Sequence, residues 1–301
     1  MSDPIVLFEN VTKQFNSTRA VDNVSFEVKK GRLLGLLGPN GSGKTTIIRM
    51  LTHILIPDAG TVRMYGNRIG PDTQARIGYL PEERGLYKKM KVGEQLIYLC
   101  RLRGLKHADA QNRIRYWLDR FEAINYINKE LGELSKGMQQ KIQFIATIAH
   151  DPDCLILDEP FSGLDPINSE LLKKIMLELK QAGRTIFFAT HRMEHAEQLC
   201  EDLALFNKGK LILSGEVAKI RASYGNNSIR IRFDGDNRFL DQLKKVRIIH
   251  RSSHYAEIRL LNGADDQEVL ARAQEHARIL SYELTEPGLQ EIFIDMVTKD
   301  T

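Results

Sequence analysis

The sequence predicts an α/β protein that carries a second, smaller α+β domain. Three observations point there. Short apolar strands alternate with amphipathic helices over about residues 5–215, the pattern of a parallel sheet covered by helices. A glycine-rich turn at 38–43 joins an apolar strand to a helix. Beyond residues 223–228 the pattern becomes a clean two-residue alternation, as in Ile229-Arg230-Ile231-Arg232-Phe233, which marks half-buried strands.

Each element follows from its pattern. Residues 5–9 and 24–28 read as short strands. The apolar run 33–37 stops at Gly38, and helical spacing resumes over 45–51. Residues 60–66 and 76–80 read as further strands. From 92 to 150 apolar residues recur at three- and four-residue steps (Leu96, Leu99, Cys100, Ile114, Trp117, Leu118, Phe121), so this stretch is helical. A strand follows at 154–158, a helix at 168–181 stopped by Gly183, a strand at 185–190, a helix at 194–201 and strands at 203–206 and 210–213. Tyr224-Gly225-Asn226-Asn227-Ser228 is a turn-rich joint, which sets a first domain at 1–220 and a second at 221–301. The second has alternating strands at 229–233 and 255–260, a helix at 266–277, a strand at 278–284 and a last helix opened by Glu286-Pro287. Leu289, Ile292, Phe293 and Met296 form an apolar stripe on that helix; packing within the domain and a dimer brace both explain it.

Composition bounds the function. The 301 residues are 42% hydrophobic and 27% charged, as in ordinary globular proteins. Apolar runs are only a few residues long, whereas a membrane span needs about 20. The start, Met1-Ser2-Asp3-Pro4, lacks the basic and apolar regions of a secretory signal. Cys100, Cys154 and Cys200 form no CxxC pair, so buried free thiols in a reducing cytosol are expected rather than zinc or disulfides. Net charge is +4. The bias sits at 76–120, with 11 Lys/Arg against 5 Asp/Glu, while 220–301 is balanced at 12 against 13. A solvated helical face and a surface for an acidic or membrane-proximal partner both fit.

The chemistry begins at Gly38-Pro39-Asn40-Gly41-Ser42-Gly43-Lys44-Thr45, which matches G-x-x-x-x-G-K-[ST]. Its glycines allow backbone N–H groups to converge on a phosphate, and the helix that follows adds its positive end. Lys44 is placed to reach the terminal phosphates of a nucleotide, and Thr45 to hold Mg²⁺. Cys154-Leu155-Ile156-Leu157-Asp158-Glu159 is a buried strand delivering two acids at its C-terminal end, where open α/β sheets bind ligands. Asp158 suits Mg²⁺ binding, and Glu159 suits a base that orients water. His191 emerges at the end of strand 185–190, a position near a γ-phosphate. Leu134-Ser135-Lys136-Gly137-Met138-Gln139-Gln140 precedes a helix. Ser135 is a good N-cap and Gly137 permits close approach, so read in isolation the segment is a plain capped helix.

Taken in this order, the motifs resemble the ATP-binding cassette (ABC) ATPase family over about residues 5–215. The resemblance implies a P-loop NTPase core of RecA-like type with a helical subdomain at about 86–150. It makes 38–45 the Walker A loop, with Thr46 just after it also expected to bind the nucleotide, and 154–159 the Walker B strand with Glu159 as catalytic base. Leu134–Met138 takes the signature position, with Ser135 and Gly137 expected to touch phosphate. Ser162-Gly163-Leu164-Asp165 matches the D-loop, His191 the switch histidine, and Phe15 the aromatic that stacks on adenine; read alone, Phe15 is a core phenylalanine. ATP and Mg²⁺ are the implied ligands. Two departures stand out. The usual LSGGQ has Lys136 for a glycine and Met138 for the glutamine, and the Q-loop position carries Glu82 instead of Gln. A carboxylate there can still face Mg²⁺.

Tyr79-Leu80-Pro81-Glu82-Glu83-Arg84-Gly85-Leu86-Tyr87, Leu134–Lys141 and the Glu286-Pro287-Gly288-Leu289 tail are similar to ATPases of ABC-2-type exporters, the NatA-like sodium-export type in particular. That similarity implies an ATPase subunit working as a head-to-tail homodimer on a separate integral-membrane permease, from the cytoplasmic face. Glu82 and segment 86–120 are the implied docking surface. Sodium, drug, lipid and peptide cargoes stay open. An importer ATPase is disfavoured by the exporter-like signature and tail. A soluble ATPase acting on ribosomes or DNA would resemble tandem cassettes or carry coiled-coil insertions. Neither is present, and the basic segment lacks the interleaved aromatics of a single-strand binder, so no nucleic-acid partner is expected.

Overall fold

A computed structural model describes residues 4–83, 85–225, 227–261 and 263–299. Met1, Ser2 and Asp3 of the start, Arg84 of the 79–87 motif and Asn226 of the joint lie outside the described residues. The chain divides into two compact units, Met1–Ser214 and Gly215–Thr301. The division falls slightly ahead of the expected 220/221 joint, within the strand Lys210–Glu216.

The first unit runs β1 (Pro4–Phe15), β2 (Thr18–Lys29), β3 (Leu33–Leu37), α1 (Lys44–Leu51), β4 (Ala59–Met64), β5 (Asn67–Arg68), α2 (Pro71–Gln74), β6 (Ile77–Leu80), α3 (Val92–Leu102), α4 (His107–Arg120), α5 (Lys136–Ile148), β7 (Cys154–Asp158), α6 (Pro166–Gln181), β8 (Thr185–Thr190), α7 (Met193–Leu199), β9 (Asp202–Asn207) and β10 (Lys210–Glu216). Six strands form the central sheet, in the order β10-β9-β3-β8-β7-β6. The β9–β3, β3–β8, β8–β7 and β7–β6 pairs are parallel. Every residue of β3, β7 and β8 is buried, as a sheet covered on both faces requires.

The N-terminal strands depart from expectation. Residues 5–9, 24–28 and 60–66 do not join the parallel sheet. β1 and β2 are twelve-residue strands that pair antiparallel, and with β4 and β5 they form a separate sheet in the order β2-β1-β4-β5. The reason lies in the burial pattern. The second half of β2 alternates buried and exposed residues, which suits a sheet with one solvated face. Its buried face, with Phe8 stacked on Phe26 at 4.5 Å, joins Ile47, Ile156, Phe187 and Phe206 in one core.

The helical stretch resolves into α3, α4 and α5, which pack on one another. Leu96, Cys100, Ile114, Leu118, Phe121 and Phe144 are all buried, and the Phe121 and Phe144 rings lie 5.6 Å apart. Each such side chain contributes about 1.5–3 kcal/mol on burial. All three cysteines are free and buried.

The second unit adds α8 (Val217–Ser223), β11 (Ser228–Gly235), β12 (Val246–Arg251), β13 (Tyr255–Leu260), α9 (Asp266–His276), β14 (Ala277–Thr285) and α10 (Leu289–Lys299). Its antiparallel sheet has the order β12-β13-β11-β14. Ile229, Ile231, Phe233 and Ile258 pack with Val269 and Ala273 of α9. Ser228, Arg259 and Glu291 are buried together: Ser228 Oγ donates to Glu291 (2.8 Å) and accepts from Arg259 (3.2 Å). The last helix begins at Leu289, two residues after Pro287. Leu289 and Ile292 of the apolar stripe are buried, so these two are not free to brace a partner.

β6 has no side chain at Gly78, because α5 crosses there. A Cβ at Gly78 would stand 2.4 Å from the Thr147 carbonyl oxygen. Gly78→Ala is therefore expected to cost about 1–3 kcal/mol, read as a lowered unfolding midpoint of the first unit. An unchanged midpoint would show that β6 and α5 separate freely.

Candidate functional site

The parallel register brings candidate site residues to one edge. Leu37 pairs with Thr190, and Asp158 with Ala189. β3, β7 and β8 therefore end together, and the loop 38–43, Asp158, Glu159 and His191 leave from the same edge. The loop is tightly bound to its surroundings. A Cβ on Gly38, at φ +143°, would lie 2.2 Å from the Phe206 carbonyl oxygen, so only glycine fits. Ser42 accepts a hydrogen bond from the Gly209 amide at 3.0 Å. Gly43, at φ 109°, caps α1, whose first turn holds no acidic residue. An anion therefore meets no repulsion from that turn.

A cleft of about 350 Å³ opens on this loop, lined by Phe15, Ala20, Asn40, Gly41, Ser42, Gly43, Lys44, Thr45, Thr46, Glu82, Asp158 and Glu159. Two features fit a phosphate group. Ser42 Oγ is buried with no hydrogen-bond partner, and beside Gly41 there is open space where a side chain would otherwise stand. Lys44 Nζ donates to the Gly38 and Pro39 carbonyls at 2.7 and 3.1 Å. Burial pulls the Lys44 pKa down, and Glu159, Asp158 and Glu82 act against that pull.

Glu159 sits at φ 47°, a strained value for a non-glycine residue. That turn aims its carboxylate across β8. Oε1 accepts from the His191 amide at 2.8 Å and lies 2.6 Å from His191 Nδ1, and Oε2 accepts from Thr190 Oγ1 at 3.1 Å. The structure thus brings His191 onto the carboxylate rather than among the residues that line the cleft. Asp158 is buried. Its pKa is pushed up to about 6, first by burial and then by Glu82 and Glu159, with Lys44 and Arg49 pulling it down. Among the described residues no group of three or more His, Cys, Asp or Glu could hold a metal. Two carboxylates and the Thr45 hydroxyl suit Mg²⁺, which keeps several waters and takes few protein ligands.

The ABC transporter family matches residues 21–162, and the family described as "ATP-binding protein DrrA1-3-like, C-terminal domain" matches 215–297. The uncharacterized ABC transporter ATP-binding protein YhaQ of Bacillus subtilis (strain 168) is 43% identical over 97% of this chain and 98% of its own length. This chain belongs to the ABC transporter ATP-binding proteins. It is also similar to the daunorubicin/doxorubicin resistance ATP-binding protein DrrA of Streptomyces peucetius (32%, covering 94% of this chain and 89% of that one). The ABC transporter ATP-binding protein NatA of Bacillus subtilis (strain 168) is 35% identical, covering 71% and 89%. Among solved structures, an ATP-binding subunit of an ABC transporter superposes with a TM-score of 0.69 at 28% identity, covering 73% of this chain and 93% of that one. Membership makes the chain an ATP-hydrolysing, transport-coupled ABC cassette.

The cassette's remaining candidates lie elsewhere. Ser135 caps α5, its Oγ accepting from the Met138 amide at 3.3 Å. Gly137 approaches Gly163, whose carbonyl oxygen would be 3.2 Å from an added Cβ. Asp165 caps α6 by accepting from the Asn168 amide at 2.9 Å. None of these three lines the cleft. Two residues to which the sequence reading gave no role connect the parts. Gln140 of α5 donates to the Pro160 carbonyl at 3.1 Å, just after Glu159. Gln143 donates to the Pro81 and Glu83 carbonyls at 3.3 Å, either side of Glu82. Their signal was available: two glutamines three apart on the buried stripe of an apolar helix have to be satisfied somewhere. Thr190 was missed because a threonine ending a strand is unremarkable in sequence.

The Asp158 environment gives a pH test. The native carboxyl keeps its proton to about pH 6, whereas an unfolded one loses it near its ordinary value of 3.8. Between those values the native state binds more protons, so stability falls as pH rises through the window. Asp158→Asn is expected to raise the stability of the nucleotide-free cassette by about 2 kcal/mol at about pH 7.5 and to have little effect at about pH 4. Thermal unfolding at both pH values measures this. An equal effect at both would assign the titration to another group.

Proposed function

We propose that this cassette is the ATPase subunit of an export system, acting as a head-to-tail homodimer that drives a separate integral-membrane permease from the cytoplasmic face. The separation of Ser135 and Gly137 from the cleft carries this reading. A signature segment that cannot serve the cleft of its own chain is free to serve that of a second copy. ATP would then bridge the Walker A loop of one chain and the Ser135–Gly137 segment of the other. Binding in that way stabilises the closed pair by linkage.

Within the cleft, the amides of 40–46 and Lys44 would bind the phosphates, and Phe15 would stack on the base. Thr45, Asp158 and Glu82 would hold Mg²⁺, which neutralises phosphate charge when bound. Glu159 would accept the proton of the attacking water, and His191 would orient that carboxylate. Lys136 adds a cation to an anion-binding segment, so that departure keeps phosphate affinity. The described residues include no helix long and apolar enough to cross a membrane, which is why the permease is a separate chain in this reading. Tyr87, Tyr98 and Leu102 are exposed in the basic segment and fit the docking surface. Resemblance to drug-resistance and NatA proteins supports export. The permease, which touches the cargo, selects among sodium, drugs, lipids and peptides.

Lys44→Ala is expected to abolish ATP binding, measured by a fluorescent nucleotide. Glu159→Gln is expected to bind ATP, lose about 100-fold or more of hydrolysis and accumulate as a dimer in light scattering. Hydrolysis at the wild-type rate would overturn the base assignment. Tagged Glu159→Gln, drawn with ATP from detergent-solubilised membranes, should bring down a multi-span protein. Recovery of only soluble partners, ribosomes or nucleic acid would overturn the exporter reading and leave the ATPase chemistry intact.

A further inference from the structure

Phe15 stands at the rim of the phosphate cleft, 43% exposed, just ahead of the turn between β1 and β2. An exposed ring at the end of a hairpin has little to hold it. Two residues outside the cleft supply the support. Lys13, on the same face of β1 as Phe15, places its ammonium 5.7 Å from the centre of the Phe15 ring. That is within the range of a cation–π contact. Lys13 is in turn fixed by Asp58, whose Oδ1 accepts from Nζ at 2.7 Å. The other oxygen of the same carboxylate accepts from the Gln14 amide at 2.8 Å, and the Asp58 amide donates to the Thr12 carbonyl at 2.9 Å. Asp58 thus holds the backbone of residues 12–14 and the side chain between them. The Lys13 side chain is only 16% exposed, although lysines ordinarily extend into solvent.

We infer that Lys13 and Asp58 are positioning residues for nucleotide binding: Asp58 locks the Lys13 ammonium beside the Phe15 ring, and the ring is thereby held as a platform for the base. The inference rests on the proposed stacking role of Phe15. A ring fixed in advance loses less freedom when a base stacks on it, and preorganisation of that kind raises affinity without a new contact to the ligand. The strut acts on the base alone. The phosphates are bound by the loop and Lys44, which neither Lys13 nor Asp58 touches among the contacts described.

The test compares two probes, ATP and inorganic tripolyphosphate, which has the phosphates and no base. Both are measured by equilibrium binding to the full-length chain with Mg²⁺. Lys13→Met keeps the alkyl stem and removes the charge, and Asp58→Asn weakens the anchor while keeping its shape. Each is expected to weaken ATP about three- to five-fold and to leave tripolyphosphate within about two-fold. Lys13→Arg, which keeps a cation over the ring, should restore most of the ATP affinity. Equal losses for both probes would overturn the proposal, because a merely structural role lowers all binding together. So would wild-type ATP affinity in Lys13→Met. Phe15→Ala separates the two levels of the argument. If it leaves the ratio of ATP to tripolyphosphate affinity unchanged, the stacking role itself fails. If it lowers that ratio and Lys13→Met does not, stacking stands and only the strut fails.

Discussion

The parallel pairing of β3, β7 and β8 is the constraint on which the site depends. Their side chains are buried on both faces, so the backbone polar groups within them must be paired within the sheet. That fixes the register, and the register makes the three strands end at one edge. The chain must turn there, and each turn carries candidate site residues: the glycine loop after β3, Asp158 and Glu159 at the end of β7, Thr190 and His191 at the end of β8. The Glu159 amide donates to the Ala189 carbonyl at 3.0 Å. The ladder bonding thus extends one residue past Asp158, into the strained turn that aims the carboxylate at His191.

Charge is then distributed over that edge at some cost. Glu82, Asp158 and Glu159 act electrostatically on the single Lys44, and burial penalises the charged forms of Lys44 and Asp158. Asp158, the most enclosed of the three acids, responds with a raised pKa. Glu159 instead accepts hydrogen bonds from the Thr190 hydroxyl and from the His191 amide. The two neighbouring carboxylates are therefore unlike in environment. One is buried beside other acids and the other is held by donors, the kind of divergence that allows two carboxylates different chemical roles.

The helical subdomain is joined to this edge through α5. Gln140 reaches the turn after Glu159 and Gln143 reaches the turn bearing Glu82, while Ser135 caps the N-terminal end of the same helix. One helix therefore touches the segment after the proposed base and the segment proposed to face the permease, and it begins at the segment proposed to meet a second copy. Sequence reading found the cap and the glycine because capping has a local signature. It passed over the glutamines because their partners are about 20 and 60 positions away along the chain, with bonds that only folding creates.

By itself the sequence determined the local features. The loop 38–45, the strand ending in Asp158-Glu159, the position of His191 and the cap at Ser135 are set by residues adjacent in the chain, whose conformations follow from sterics and short-range hydrogen bonding. The alternating strands of the second unit were legible for the same reason, since a two-residue period needs no knowledge of the partner strand. Tertiary structure alone decided which strands share a sheet. The first two strands and 60–66 interleave polar with apolar residues where the central strands do not, but that pattern names no partner strand, and the packing of their apolar face into the shared core draws them into an antiparallel layer of their own. It also decided that His191 meets Glu159, that Lys13 meets Phe15 through Asp58, and that the signature segment lies away from the cleft of its own chain. Each is a relation between residues far apart in sequence, fixed by the close packing of buried side chains rather than by any local preference.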